Sequence, residues 1–135
     1  MKHKVLIFIL FIIVSCKSLD QKEGIKTNEF EGNYHLVNPN NQESYHKFSV
    51  FKENGTYFFK LKEKNSEKIE ISILNLDSLK SDFYSNLPKE TKVIGNMDKD
   101  VILFKTEVGW EYNGFKCETG YFMMTIIGPV NTYRN

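Results

Sequence analysis

Alanine, the strongest helix former, is missing from all 135 residues, which argues against a helical bundle. Cysteine occurs only at Cys16 and Cys117, so a framework of several disulfides is excluded. Arginine is nearly absent: of 18 basic residues all but Arg134 are lysine. Together with abundant Lys, Asn, Ile and Phe, this reads as AT-rich coding bias rather than functional selection. Neither sign of charge dominates, with 18 basic against 17 acidic residues, so net charge gives no case for nucleic acid or for a strongly anionic partner. Long hydrophobic runs are scarce too. The most prominent, residues 5–14 (VLIFILFIIV), is too short for a helix that must cross a hydrocarbon core of roughly 30 Å with about 20 residues.

That run follows Met1, Lys2, His3 and Lys4 and ends at Ser15-Cys16. A basic start, an apolar stretch and a small residue at the junction are the parts of an export signal. Ile13-Val14-Ser15-Cys16 resembles the bacterial lipobox, a bulky aliphatic, a tolerant position, a small residue and a cysteine. The resemblance implies cleavage before Cys16, a thioether-linked diacylglycerol on its thiol and acylation of the new amino group. Two or three acyl chains, at roughly 0.8 kcal/mol per buried CH₂, hold a protein on a bilayer far more firmly than one. Residues 1–15 are thus expected to be a lipoprotein signal peptide, and the product a membrane-anchored protein of the bacterial cell envelope. Lys17 rather than Asp after the cysteine points to the outer membrane. Loss of Lys2 and Lys4 leaves 16 basic against 17 acidic residues. Once Cys16 carries lipid, Cys117 has no cysteine left to pair with. Apart from that covalent lipid, no cofactor is expected.

Residues 16–29 are polar and aperiodic and read as a flexible tether. One β-rich domain, 30–135, should follow, with chain enough for a single core. Two Asn-Gly pairs set its geometry. With Asn54-Gly55 at the centre of a two-residue hairpin loop, Lys52 faces Tyr57, Val50 faces Phe59 and Phe48 faces Leu61 on one apolar side. Phe51 then faces Phe58, Ser49 faces Lys60 and Lys47 faces Lys62 on a mixed, partly wet side. Asn113-Gly114 pairs Tyr112 with Phe115, Trp110 with Cys117 and Val108 with Thr119 on one side, and Glu111 with Lys116 on the other. Cys117 is accordingly read as a small buried apolar residue opposite Trp110.

Residues 67–74 alternate Ile69, Ile71 and Ile73 with Glu70 and Ser72, a strand with one wet face. Leu76, Leu79, Phe83 and Leu87 fall at helical spacing, with Asp77 or Ser78 to cap the start and Pro88 to stop the end, so one helix of about ten residues is expected near 77–87. Residues 92–94, 101–106 and 121–127 complete the strands. The last, YFMMTII, is apolar on both faces and suits a central strand covered on each side, with the helix as one cover. Gly128-Pro129 reads as a turn. About eight short strands and one helix point to a mainly β fold, an antiparallel barrel or strongly curved sheet. Phe30-Glu31-Gly32-Asn33-Tyr34, followed by Phe51-Lys52-Glu53-Asn54-Gly55-Thr56-Tyr57, is similar to the opening of bacterial lipocalin-like domains, with Tyr34 where that family usually has Trp. The resemblance implies an eight-stranded barrel and a small hydrophobic ligand.

Motifs for chemistry are scarce. His35 and His46 lack metal-ligand spacing with Cys117, no nucleophile elbow, Walker loop or dinucleotide fingerprint occurs, and Asp98-Lys99-Asp100 lacks the further ligands of a calcium loop. No metal site and no enzyme are expected. The aromatic supply is the unusual resource, and an incompletely filled barrel would place Phe59, Trp110 and Tyr112 around a ligand. The expected function is therefore a non-enzymatic envelope lipoprotein binding a small hydrophobic molecule. The alternative is a protein-interaction lipoprotein, an inhibitor, immunity or assembly factor, using the mixed face of Phe51 and Phe58.

Overall fold

A computed structural model describes residues 29–135. The expected signal peptide, Cys16 and the expected tether up to residue 28 lie outside the described residues. Glu29, placed in the tether by composition, is bonded to the barrel through Lys92 and Lys105.

Eight antiparallel strands close a barrel: β1 (Gly32–Val37), β2 (Ser44–Glu53), β3 (Thr56–Leu61), β4 (Ile69–Leu74), β5 (Lys92–Asn96), β6 (Val101–Lys105), β9 (Tyr121–Thr125) and β10 (Gly128–Arg134). They pair in that order, and β10 returns to β1 with Leu36 opposite Thr132. Closure leaves the barrel without an edge strand. A separate two-stranded ribbon, β7 (Glu111–Tyr112) with β8 (Phe115–Lys116), sits in the connection between β6 and β9.

Both Asn-Gly pairs turn as their chemistry requires. Asn54 and Gly55 have φ of 50° and 84°, Asn113 and Gly114 of 51° and 87°, and two successive positive φ values are what makes the two-residue loop compatible with strand twist. The expected β2–β3 register follows residue for residue from Phe48 opposite Leu61 to Lys52 opposite Tyr57. In the second hairpin Tyr112 faces Phe115 and Glu111 faces Lys116, and the Cys117 amide donates to the Trp110 carbonyl at 2.8 Å.

Alternation along the strands produces two apolar cores. Inside the barrel lie Tyr34, Leu36, Phe48, Val50, Phe59, Ile71, Ile94, Leu103, Met123 and Val130, all buried. Outside, on the opposite faces of β5, β6 and β9, lie Val93, Ile102, Phe104 and Phe122, covered by Leu79, Phe83, Leu87, Trp110 and Phe115. Phe104 and Phe122 stack at 4.5 Å, and Phe83 meets Phe122 edge-on at 5.9 Å. Strand β9 is thus covered on both faces, as its pattern predicts.

Three local expectations need correction. The helix is shorter than ten residues: a 3-10 turn (Leu76–Ser78) capped by Asn75 is followed by α1 (Asp82–Ser85) capped by Ser81, with Leu79 extended between them. Two cap side chains within six residues each start a helix of their own. Strand β9 ends at Thr125, and the turn is Ile126-Ile127 rather than Gly128-Pro129, which open β10. Val108 is exposed and stands outside the hairpin face assigned to it.

Candidate functional site

The three side chains expected around a ligand do not meet. Phe59 belongs to the barrel interior, whereas Trp110 and Tyr112 belong to the outer layer, stacked on each other at 6.3 Å and both edge-on to Phe83. Hairpin alternation reveals which residues share a face, but not on which side of the wall that face packs. Across the interior runs a chain of rings: Phe59 to Phe48 at 4.8 Å, Phe48 to Tyr34 at 5.1 Å, Tyr34 to Tyr121 at 5.7 Å and Tyr121 to Phe30 at 6.5 Å. Tyr34 is fully buried and its hydroxyl donates to the Phe30 carbonyl at 2.6 Å, while burial pushes its ionisation well above the usual tyrosine range. A small barrel has an interior just wide enough for side chains, and here it is lined by the buried rings of Tyr34, Phe48 and Phe59.

The groups read as chemically idle are dispersed. Cys117 is fully buried and burial raises its thiol pKa, the opposite of what a nucleophile needs. His35 stacks on Tyr133 at 5.5 Å. His46 lies 3.6 Å from Glu63, with both side chains more than half exposed, a surface pair rather than a concave site. Asp98, Lys99 and Asp100 form the β5–β6 turn, where the Asn96 carboxamide oxygen accepts from the Asp98 and Lys99 amides. Among the described residues no group of three metal-ligating side chains converges, and no helix is long and apolar enough to cross a membrane.

The outer wall is divided. The helix and the β7–β8 ribbon cover β5, β6 and β9, while among the described residues nothing of that kind covers β2 and β3. On that bare face Phe51 and Phe58 stack at 5.8 Å, both half-buried. The Lys68 ammonium sits 4.5 Å above the Phe58 ring and 2.8 Å from Glu53. Along the strands the pair gives way to Ser49 opposite Lys60, and the Lys62 amide donates to the Lys47 carbonyl at 2.8 Å, which sets two lysines side by side. A shallow depression of about 450 Å³ lies there, lined by Ser49, Phe51, Lys60, Leu61 and Lys62. This is the mixed, partly wet side expected from the Asn54-Gly55 register.

At the rim where the chain enters, a second depression of about 350 Å³ is lined by Glu29, Phe30, Tyr57, Ile73, Leu74, Thr91, Lys92 and Val93, with Ile73 73% exposed. Glu29 binds Lys92 at 2.6 Å and Lys105 at 3.3 Å, and its carbonyl accepts from the Tyr121 hydroxyl at 2.7 Å. The hydrogen bond from Lys92, aided by Lys105 against partial burial, holds the Glu29 carboxyl below its ordinary value. Composition alone gave no sign of this cluster, because its members are far apart in the chain. No family model matches the sequence, and neither a curated protein nor a solved structure matches it.

Proposed function

We propose that this chain is a non-enzymatic lipoprotein of the bacterial envelope, held by lipid on Cys16, whose barrel is a solid scaffold and whose work is contact through its outer wall. The observation that supports the reading is the chain of packed rings from Phe59 to Phe30, which runs across the interior where a lipocalin-like ligand would sit. The contact face is the one centred on Phe51 and Phe58, since two stacked rings that no described residues cover suit a surface that is buried only on association.

A small hydrophobic ligand remains a second reading, favoured by the rim depression with Phe30, Tyr57 and the exposed Ile73. Native mass spectrometry of the protein recovered from its own envelope separates the two. A bare domain, or one carrying a stoichiometric protein that Phe51→Asp releases without unfolding the barrel, supports contact through the wall. An extra mass of a few hundred daltons, lost on denaturation and on Ile73→Asp, would make it a ligand carrier instead. Intact mass of the same sample reads the acyl chains on Cys16.

A further inference from the structure

The bare face has a charge pattern that the barrel itself does not use. Lys47 stands across from Lys62, and like charges directly opposite on a sheet repel. Lys60 lies two residues along the same face as Lys62, beside Ser49. All three lysines are exposed, and none of them is in an ion pair with another described residue. The acidic groups at this face include Glu53, already neutralised by Lys68, Glu70, opposite Phe58, and Glu63, which follows Lys62 and lies 3.6 Å from His46. Net positive charge therefore surrounds two half-exposed rings.

We infer that this face docks on the anionic phospholipid headgroups of the bilayer that carries the anchor, with Lys47, Lys60 and Lys62 on phosphates and Phe51 and Phe58 lowered into the interface. The inference rests on the envelope-anchored reading and names the partner of its contact face. Charge complementarity selects the headgroups: an anionic leaflet attracts each nearby lysine by about fivefold, so three lysines against Glu63 and Glu70 still favour an anionic over a neutral surface by about fivefold. Aromatic and aliphatic side chains flanked by lysine are also the composition of surfaces that lie in the membrane interface. Such a face is weak alone. A tether converts docking into an intramolecular event at high effective concentration, so weakness is no obstacle. Docked this way, the domain lies on its side and turns the helix and ribbon toward solvent.

The test is lysine acetylation read by mass spectrometry on the full chain reconstituted in vesicles, phosphatidylcholine alone or mixed with phosphatidylglycerol. Labelling of Lys47, Lys60 and Lys62 is expected to slow by about fivefold with phosphatidylglycerol at low salt and to recover in high salt. Lys99 and Lys116 should label equally in both. The double change Lys60→Glu and Lys62→Glu should abolish protection of Lys47 while leaving Trp110 emission unchanged. Equal labelling of the face in both vesicles, or protection spread evenly to Lys99 and Lys116, would overturn the inference. Protection that appears only on adding the host's envelope proteins would overturn it as well, in favour of a protein partner. Absence of acyl chains from the intact mass is a separate result and bears on the anchor alone.

Discussion

Gly95 is a residue at which one methyl group decides whether two strands can pair. It lies in β5 opposite Ile102, and a Cβ built on it would stand 2.2 Å from the Val101 carbonyl oxygen, a backbone atom that cannot move aside without displacing β6. Gly95→Ala should therefore destabilise the protein by about 2–3 kcal/mol, the cost of overpacking a fixed site, seen as a lower urea midpoint with an unchanged slope. A variant as stable as the parent would mean that the β5–β6 pairing is looser than described. Cys117 makes the complementary case. It is fully buried against the outer core and its thiol pKa is raised, so alkylation by a thiol reagent at neutral pH should wait for unfolding. Rapid modification of the native protein would show that the β7–β8 ribbon opens. Burial of Cys117 opposite Trp110 was legible from the Asn-Gly register alone, because local turn chemistry fixed both positions. The close approach at Gly95 was not, since a glycine inside a strand does not reveal which backbone presses on it.

Helix α1 and the β7–β8 ribbon form a lid over one side of the barrel, and Phe83 joins them. Its ring lies 5.5 Å from Trp110, 5.9 Å from Tyr112 and 5.9 Å from Phe122. Phe83→Ala should cost about 2 kcal/mol, below the usual range for a fully buried phenylalanine because this one is half-buried. Trp110 emission should shift to the red while the far-ultraviolet signature of the barrel persists, as only the lid loosens. Simultaneous loss of both signals at the parent's midpoint would show that lid and barrel unfold as one unit. The same lid marks the limit of sequence reading at this scale. Hairpin registers, the doubly covered β9 and a count of about eight strands followed from turn residues and period-two alternation, which are local, whereas closure did not, because a closed barrel and a strongly curved sheet share that pattern. Helix length did not follow, because Leu76, Leu79, Phe83 and Leu87 keep helical spacing while Asn75 and Ser81 cap two separate turns. Nor did the place of Trp110 and Tyr112, because a hairpin's apolar face fits the inside of the wall or the outside equally well.

Across the whole molecule, both ends of the described chain meet at one rim. Glu29 and Glu31 offer backbone carbonyls to Arg134, the Tyr121 hydroxyl holds the Glu29 carbonyl, and the Glu29 carboxylate binds Lys92 and Lys105. This clasp pins the first described residue, Glu29, to the rim beside Lys92, Lys105, Tyr121 and Arg134. Its ionic part depends on pH with a definite sign. The folded-state pKa of Glu29 lies below its ordinary value of 4.5, so the stabilisation is fully present above that value and is lost as pH falls through the lower, folded value. Because the partners are partly exposed, the contribution is about 1 kcal/mol or less. The urea stability of the parent minus that of Glu29→Gln should accordingly stay constant from about pH 7 to pH 5 and shrink toward zero below about pH 4. A difference that persists unchanged into strong acid would assign the effect to the neutral hydrogen bonds of the side chain. A difference already absent at neutral pH would leave the Tyr121 and Arg134 contacts to the backbone as the whole of the clasp, and the hold on Glu29 would then be independent of its carboxylate.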